Sequence, residues 1–147
     1  MTDTPFPATT KRTAGEVKGV LTDVMTVGFA DKIVVTIVQN GRLAQWFHVG
    51  LDAAHRVLTD NAVEDGANDD FDDSLLPLPH LTPVTLLGGT DEKREATGQL
   101  LTVQIASLIS ARNKDESRMV TVGLGLGVKE LDQQAFMEIL ELVGKCV

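Results

Sequence analysis

The sequence has little cysteine and no long apolar run, and each shortage excludes a class of protein. Its single cysteine, Cys146, cannot form a disulfide within the chain, so a reducing compartment is predicted: the cytoplasm, with the nucleus as a second location. No apolar run approaches the roughly 18–20 residues of a membrane-spanning helix. The first ten residues have neither the cationic start nor the apolar core of a secretory signal. We therefore expect a protein that does not enter membranes.

Basic residues are also scarce. The chain has 13 Lys and Arg against 21 Asp and Glu, a net charge of −8. Nucleic acids and anionic membrane surfaces bind through Lys and Arg, so both are disfavoured as partners. Residues 52–80 hold eight acids and one base, a net of −7, which leaves −1 for the rest of the chain. Charge therefore favours a basic protein surface as partner.

The length of 147 residues suits one domain with a single core. We expect a disordered N-terminal arm at residues 1–10, followed by a single domain over 11–147. Within it, the polar stretch at about 52–80 is low in apolar residues and high in one charge, which predicts a flexible acidic loop.

Alternating apolar residues predict a series of strands. Residues 16–30 indicate two short strands with a bulge or bend at Gly19, and residues 32–39 form the segment most typical of a strand. Asn40-Gly41 then predicts a tight hairpin, with the strand at 42–49 returning antiparallel to the preceding one. Further strands are predicted at 82–88 and 118–127.

Two segments have helical periodicity. One runs from about 91 to 111 with Thr90 as candidate N-cap, and the other from 131 to 143. The predicted fold is α+β: a single, mostly antiparallel sheet of about six strands, two main helices packed on one face, and a long acidic loop between strands.

Two helices can cover only one of the two faces of such a sheet. Six strands span about 25–29 Å, and two helices about 10 Å apart cover only one side. The strand at 32–39 nevertheless has apolar residues on both sides, with Ile33, Val35 and Ile37 on one and Val34 and Val38 on the other. Either the sheet curls over itself or a second subunit covers the free face; we favour dimerisation.

Two glycine-rich segments lack the spacing of nucleotide sites. In "VTLLGGTDE" no Lys-Ser/Thr pair follows Gly88-Gly89, and Asp91 and Glu92 would repel a phosphate. "VGLGLGVKE" has glycines at alternating positions, unlike the dinucleotide-binding pattern. That pattern predicts a close approach by a helix or by a partner's backbone.

No catalytic, metal or cofactor site is predicted. "EDGANDDFDD" departs from the calcium-loop pattern in the position of its glycine. The three histidines, His48, His55 and His80, have no compact metal-ligand spacing, and Cys146 lies in a terminal segment. The acidic run is interpreted as a solvated loop or, alternatively, as a partner-binding loop in which Phe71 is a small apolar anchor.

Four segments, in this order and spacing, resemble the proteasome assembly chaperone three family. Together with the two helices they cover about 15–50 and 82–147, roughly two-thirds of the chain. The segments are "GVLTDV" (19–24), "KIVVTIVQNGRL" (32–43), "VTLLGGTDE" (84–92) and "VTVGLGLGVKE" (120–130).

The resemblance implies a small, non-catalytic α+β chaperone without cofactors. It would pair with a sister chaperone of similar fold, the fourth of the set, or with itself. The dimer would bind alpha-type subunits, alpha-5 in particular, while the alpha ring of the 20S proteasome assembles, and would leave before maturation. A different interpretation of the same fold class is a longin- or roadblock-like dimeric scaffold subunit in trafficking or signalling.

The acidic run generates a prediction of its own. We expect Asp69, Asp70, Phe71, Asp72 and Asp73 to contact a basic patch on an alpha subunit. Replacing the four aspartates by Asn or Ser should weaken binding, and more strongly at low salt, because ions screen exposed charges. Binding measured across a salt series checks this, and an affinity that is unchanged at every salt concentration would contradict it.

Overall fold

The chain begins with a long hairpin. In the computed structural model, which describes residues 9–51 and 81–147, strands β1 (Thr9–Val17) and β2 (Val20–Gly28) pair antiparallel along their whole length. Lys18 and Gly19 join them with φ of 50° and 80°, so Gly19 lies in the turn itself and not at a bulge. Since β1 begins at Thr9, the last two residues of the arm predicted at 1–10 belong to a strand; residues 1–8 lie outside the described residues.

The described strands form one six-stranded sheet in the order β1-β2-β3-β6-β4-β5. All neighbours are antiparallel except β3 and β6, which are parallel. The α+β prediction of a mostly antiparallel sheet is thus confirmed, while the predicted loop at about 52–80 lies outside the described residues. The remaining strands are β3 (Lys32–Gln39), β4 (Gln45–Gly50), β5 (Val84–Leu87) and β6 (Met119–Gly125).

The predicted hairpin between β3 and β4 is wrong, although its turn is right. Asn40 and Gly41 both have positive φ, 58° and 67°, as a tight turn requires. Beyond one bridge from Gln39 to Arg42, however, β4 pairs with β6, which is inserted between β3 and β4. A turn signal reports only local backbone conformation, whereas the insertion depends on a strand about eighty residues further along the chain.

Two helices pack on the same face of the sheet, as predicted. They are α1 (Glu92–Arg112) and α2 (Gln133–Gly144). The N-cap of α1 is Asp91 and not Thr90, since the Asp91 carboxylate accepts a hydrogen bond of 3.1 Å from the Arg94 N–H. Asp132 caps α2 in the same way, at 2.7 Å from the Ala135 N–H. Each cap satisfies a helix amide that has no partner within its helix.

The core lies between the helices and the inward side of the sheet. Each fully buried aliphatic or aromatic side chain there contributes about 1.5–3 kcal/mol of transfer free energy. Ala96 and Leu100 of α1 lie outside this core and are exposed. The buried residues include Ile33, Val35, Ile37, Phe47, Val49, Leu101, Ile105, Val120, Val122, Leu124, Ile139 and Val143.

A glycine allows α1 to lie close to the sheet. A Cβ at Gly98 would be 2.3 Å from the Phe47 ring and 3.4 Å from Leu124. Glycine in a helix interior costs about 1 kcal/mol relative to alanine. Here that cost is offset by the packing of the fully buried Phe47 ring against the helix backbone.

We predict that Gly98→Ala lowers the free energy of unfolding by about 1–3 kcal/mol, because the added methyl group overpacks the core. Chemical denaturation measures this. Gln104→Ala, a substitution in the same helix at a half-buried position, is the control and should change stability little. A Gly98→Ala protein as stable as wild type would show that the helix can move away from Phe47 without cost.

An ion pair fixes the segment before β6. The Arg118 guanidinium donates to both carboxylate oxygens of Glu116, at 2.6 and 2.8 Å, and to the Phe29 carbonyl at 2.9 Å. Glu116 is buried, and the hydrogen bonds from Arg118 lower the pKa of its carboxyl. The pair therefore joins the turn between β2 and β3 to the start of β6.

Glu116 should make stability depend on pH. Because its folded pKa is depressed, its contribution is present above the unfolded value of about 4.3 and is lost as pH falls through the folded value. At pH 7 we expect Glu116→Gln to cost about 1–3 kcal/mol, with the difference from wild type shrinking in acid. Urea titrations at pH 7 and in acid measure it, with the exposed Glu141→Gln as control. A pH-independent difference would contradict the assignment to the ion pair.

Candidate functional site

The side of the sheet opposite the helices is apolar, and we call it the open face. Strand alternation places on it every second residue of each strand, and in the described part of the chain both helices lie on the other side. Its apolar members are Leu21, Met25, Val27, Val34, Val38, Trp46, Val84, Leu87 and Met119.

The apolar part of the open face is large for a surface. Strands β2, β3, β6 and β4, which carry most of it, span about 19 Å across and about 20 Å along, or roughly 400 Å² in projection. Leu21 and Leu87 are 64% and 65% exposed. The same area also includes polar positions such as Thr36 and Thr121. The largest apolar patch of an ordinary monomer is of similar size and is often functional, which makes this face a candidate protein–protein contact. Val34 and Val38, which the sequence analysis expected to need an apolar cover, belong to this face, and what covers them stays a prediction.

Trp46 is the largest side chain of the open face, and glycine makes room for it. Trp46 on β4 is in register with Gly123 on β6, and its ring lies against that residue. A Cβ at Gly123 would be 2.8 Å from two atoms of the indole. The next outward-facing glycine, Gly125, makes room for the Arg42 carbonyl, 1.4 Å from the place of a Cβ. A close approach does occur, but it is made by the chain's own Trp46 side chain and Arg42 backbone, and not by a helix or a partner's backbone as predicted.

Charged side chains on this side of the described strands lie toward its margins. Arg12 on β1 and Asp23 on β2 form an ion pair of 3.1 Å, which neutralises both groups. Lys32 stands at the first position of β3. The centre, where β3 and β6 run side by side, presents valine, threonine and glycine. An uncharged centre with polar margins is the usual composition of a protein interface.

The acidic candidate site falls outside the described residues. This applies to Asp69, Asp70, Phe71, Asp72 and Asp73, and also to His55 and His80. His48 lies on the open face, in register with Thr121. Within residues 9–51 and 81–147, no three His, Cys, Asp or Glu side chains are grouped as metal ligands.

The turn in "VTLLGGTDE" joins β5 to α1, and the carboxylate of Asp91 lies at the N-terminal end of that helix. Gly88 has a φ of 81°, and a Cβ there would be 2.4 Å from the Ala44 carbonyl oxygen. At the start of α1 the Asp91 carboxylate accepts from the Lys129 ammonium at 2.7 Å. That hydrogen bond, with the one from the Arg94 amide, lowers the pKa of Asp91. The negative charge of Asp91 thus stands where a bound phosphate would stand.

Sequence reasoning missed the contacts that shape both sides of the sheet at β4. The consecutive residues Trp46 and Phe47 point to opposite sides of the sheet, and each ring packs against a glycine. Phe47 contacts Gly98 and Trp46 contacts Gly123. A glycine inside a strongly helical segment was the available signal for the first. The second could not be found before the pairing of β4 with β6 was known.

Comparisons with known proteins give similarity at the level of the fold. No protein-family model matches the chain, and no curated protein matches its sequence. Among solved structures, the chain is similar to one from the crystal structure of a novel chaperone complex for yeast 20S proteasome assembly. The TM-score is 0.58 at 18% identity, and the alignment covers 94% of this chain and 96% of the other. Among the described helices, none is both long and apolar enough to cross a membrane.

Proposed function

We propose that this chain is a non-catalytic chaperone of 20S proteasome assembly, which acts as a dimer formed through its open face. The observation that carries the proposal is an apolar sheet face without cover among the described residues, on a fold shared with a chain of a chaperone complex for yeast 20S proteasome assembly. The resemblance of the sequence to the proteasome assembly chaperone three family supports the same function.

The open face suits a partner built like itself. Two such faces would bury roughly 800 Å² in projection, which corresponds to a weak or transient protein interface. Trp46 on β4, whose ring contacts Gly123 of the central strand β6, is an aromatic anchor, the kind of residue that contributes most to binding. The Arg12–Asp23 pair would lie toward the rim of the interface. An exposed ion pair there contributes little to affinity, but it disfavours a partner that places a like charge against it. The occupant is a sister chaperone of similar fold, or a second copy of this chain.

The alpha-type subunits of the proteasome are the proposed cargo. The dimer binds them, alpha-5 in particular, in the cytoplasm and nucleus while the alpha ring assembles. The excess of acids in residues 52–80 supports a basic surface as the counterpart, with Asp69, Asp70, Phe71, Asp72 and Asp73 as the contacting segment. Affinity purification at endogenous level tests the cargo: alpha-ring subunits without beta-ring subunits are expected. Recovery of GTPases or coat components instead would overturn the proposal in favour of a trafficking scaffold.

A charge placed in the open face should abolish association. We expect Val34→Asp to shift the protein from dimer to monomer, because the carboxylate would be buried without a partner. Light scattering after size-exclusion chromatography measures the mass. Trp46, the single tryptophan of the chain, should emit at longer wavelength once its face is exposed to water.

The matched control adds the same charge to an exposed apolar residue elsewhere. Met137 on α2 is 59% exposed and lies on the helix side, so Met137→Asp should leave the mass and the emission unchanged. Circular dichroism establishes that both variants are folded. If folded Val34→Asp protein keeps the wild-type mass, and keeps the co-purifying sister chain in the endogenous experiment, the open face is not the interface.

A further inference from the structure

His48 lies within the apolar surface of the open face. It is half-buried on β4, in register with Thr121 on β6 and with Val84 on β5. Trp46 precedes it by two residues on the same strand, so both side chains point to the same side of the sheet. A partner that covers Trp46 therefore covers the imidazole of His48 as well.

The described surroundings of this imidazole are uncharged. Both flanking strands lack titratable side chains on the open face, because the outward positions of β6 are methionine, threonine and glycine and those of β5 are aliphatic. Lys32 on β3 is separated from β4 by the whole of β6. No described residue forms a hydrogen bond or an ion pair with the His48 side chain.

The charges of the open face balance as long as His48 is neutral. Strand alternation places two basic and two acidic side chains of the described strands on this side. They are Arg12, Glu16, Asp23 and Lys32. A second copy of this chain therefore meets no net repulsion when two open faces come together. Each protonated His48 would add a positive charge without a counterpart.

Histidine as a residue type changes its charge between about pH 8 and pH 5. A neutral imidazole can be covered by apolar side chains at modest cost, whereas an imidazolium buried without a counter-charge is strongly disfavoured. Closing the open face over His48 therefore selects the neutral form, and the dissociated chain binds the additional proton. Because the dissociated form binds more protons, association weakens as the pH falls.

We propose that His48 makes self-association through the open face depend on pH, and that its protonation separates two copies of this chain. The inference rests on the proposed dimer and adds the regulation of the same surface. A second copy is the occupant that the balanced charges favour. It also places two imidazoles in one interface, so the effect of protonation is doubled.

Sedimentation equilibrium of the full chain at two pH values tests the proposal. An ordinary imidazole that is neutral in the dimer and free to protonate in the monomer raises the dissociation constant about tenfold between about pH 7.5 and about pH 5.5. With two copies of His48, we expect a rise of about a hundredfold. The emission of Trp46 should move to longer wavelength over the same range, and circular dichroism establishes that the chain stays folded.

Substitution of His48 is the decisive comparison. His48→Gln and His48→Leu both remove the proton-binding group, one with a polar and one with an apolar side chain. Each should keep its dissociation constant within about twofold over the same pH range, because the added charge is gone. His55→Gln and His80→Gln, at the other two histidines of the chain, are the matched controls and should keep the pH dependence of the wild type.

The possible results separate this inference from the dimer on which it rests. A wild-type dimer with the same dissociation constant at both pH values would overturn the inference and leave the dimer intact. So would association that strengthens in acid, or two His48 variants that both dissociate in acid as the wild type does. A wild-type chain that is monomeric at the higher pH would instead overturn self-association through the open face, and this inference with it.

Discussion

The parallel pairing of β3 with β6 is the contact on which the rest of the structure depends. It joins two parts of the sheet that would otherwise be separate, the meander of β1, β2 and β3 and the pair of β4 and β5. On the inward side it lines up Ile33, Val35 and Ile37 with Val120, Val122 and Leu124. This buried row lies between β4, on which α1 packs, and β1, on which α2 packs. On the outward side it places the glycines of β6 beneath residues of the β3–β4 connection and of β4. Both the core and the open face are therefore consequences of one strand insertion.

The sequence was sufficient for the class of fold and for the existence of a free apolar face. Alternation in β3 identified residues on both sides of the strand, and counting two helices against six strands left one side uncovered. The order in which the strands pair could not be predicted from the sequence in the same way. Asn40-Gly41 adopts the backbone conformation that its residues favour, and the strand after it still pairs elsewhere, because β6 offers it a longer row of buried partners. The N-cap of α1 moved by one residue for a related reason: Asp91 has Lys129 as a second partner, which only the tertiary fold supplies.

The two sides of the domain have different characters, and this suits a binding protein with more than one partner. The open face is broad, flat and uncharged at its centre, which favours another sheet. The helix side is covered by α1 and α2, whose packing on the sheet forms the core. The sequence of residues 52–80 adds an excess of acids, which favours a basic partner surface.

The insertion of β6 also fixes an order of events during synthesis. Strands β1, β2 and β3 are adjacent both in sequence and in the sheet, so they can pair as soon as they emerge from the ribosome. Strand β4 emerges next, yet its place in the sheet is defined by a strand that ends at Gly125. Until translation reaches that residue, one edge of β3 and one edge of β4 have no native neighbour, although β4 can already pair with β5. A protein proposed to protect incomplete assemblies therefore passes through an incomplete sheet of its own, and the last quarter of the chain completes it.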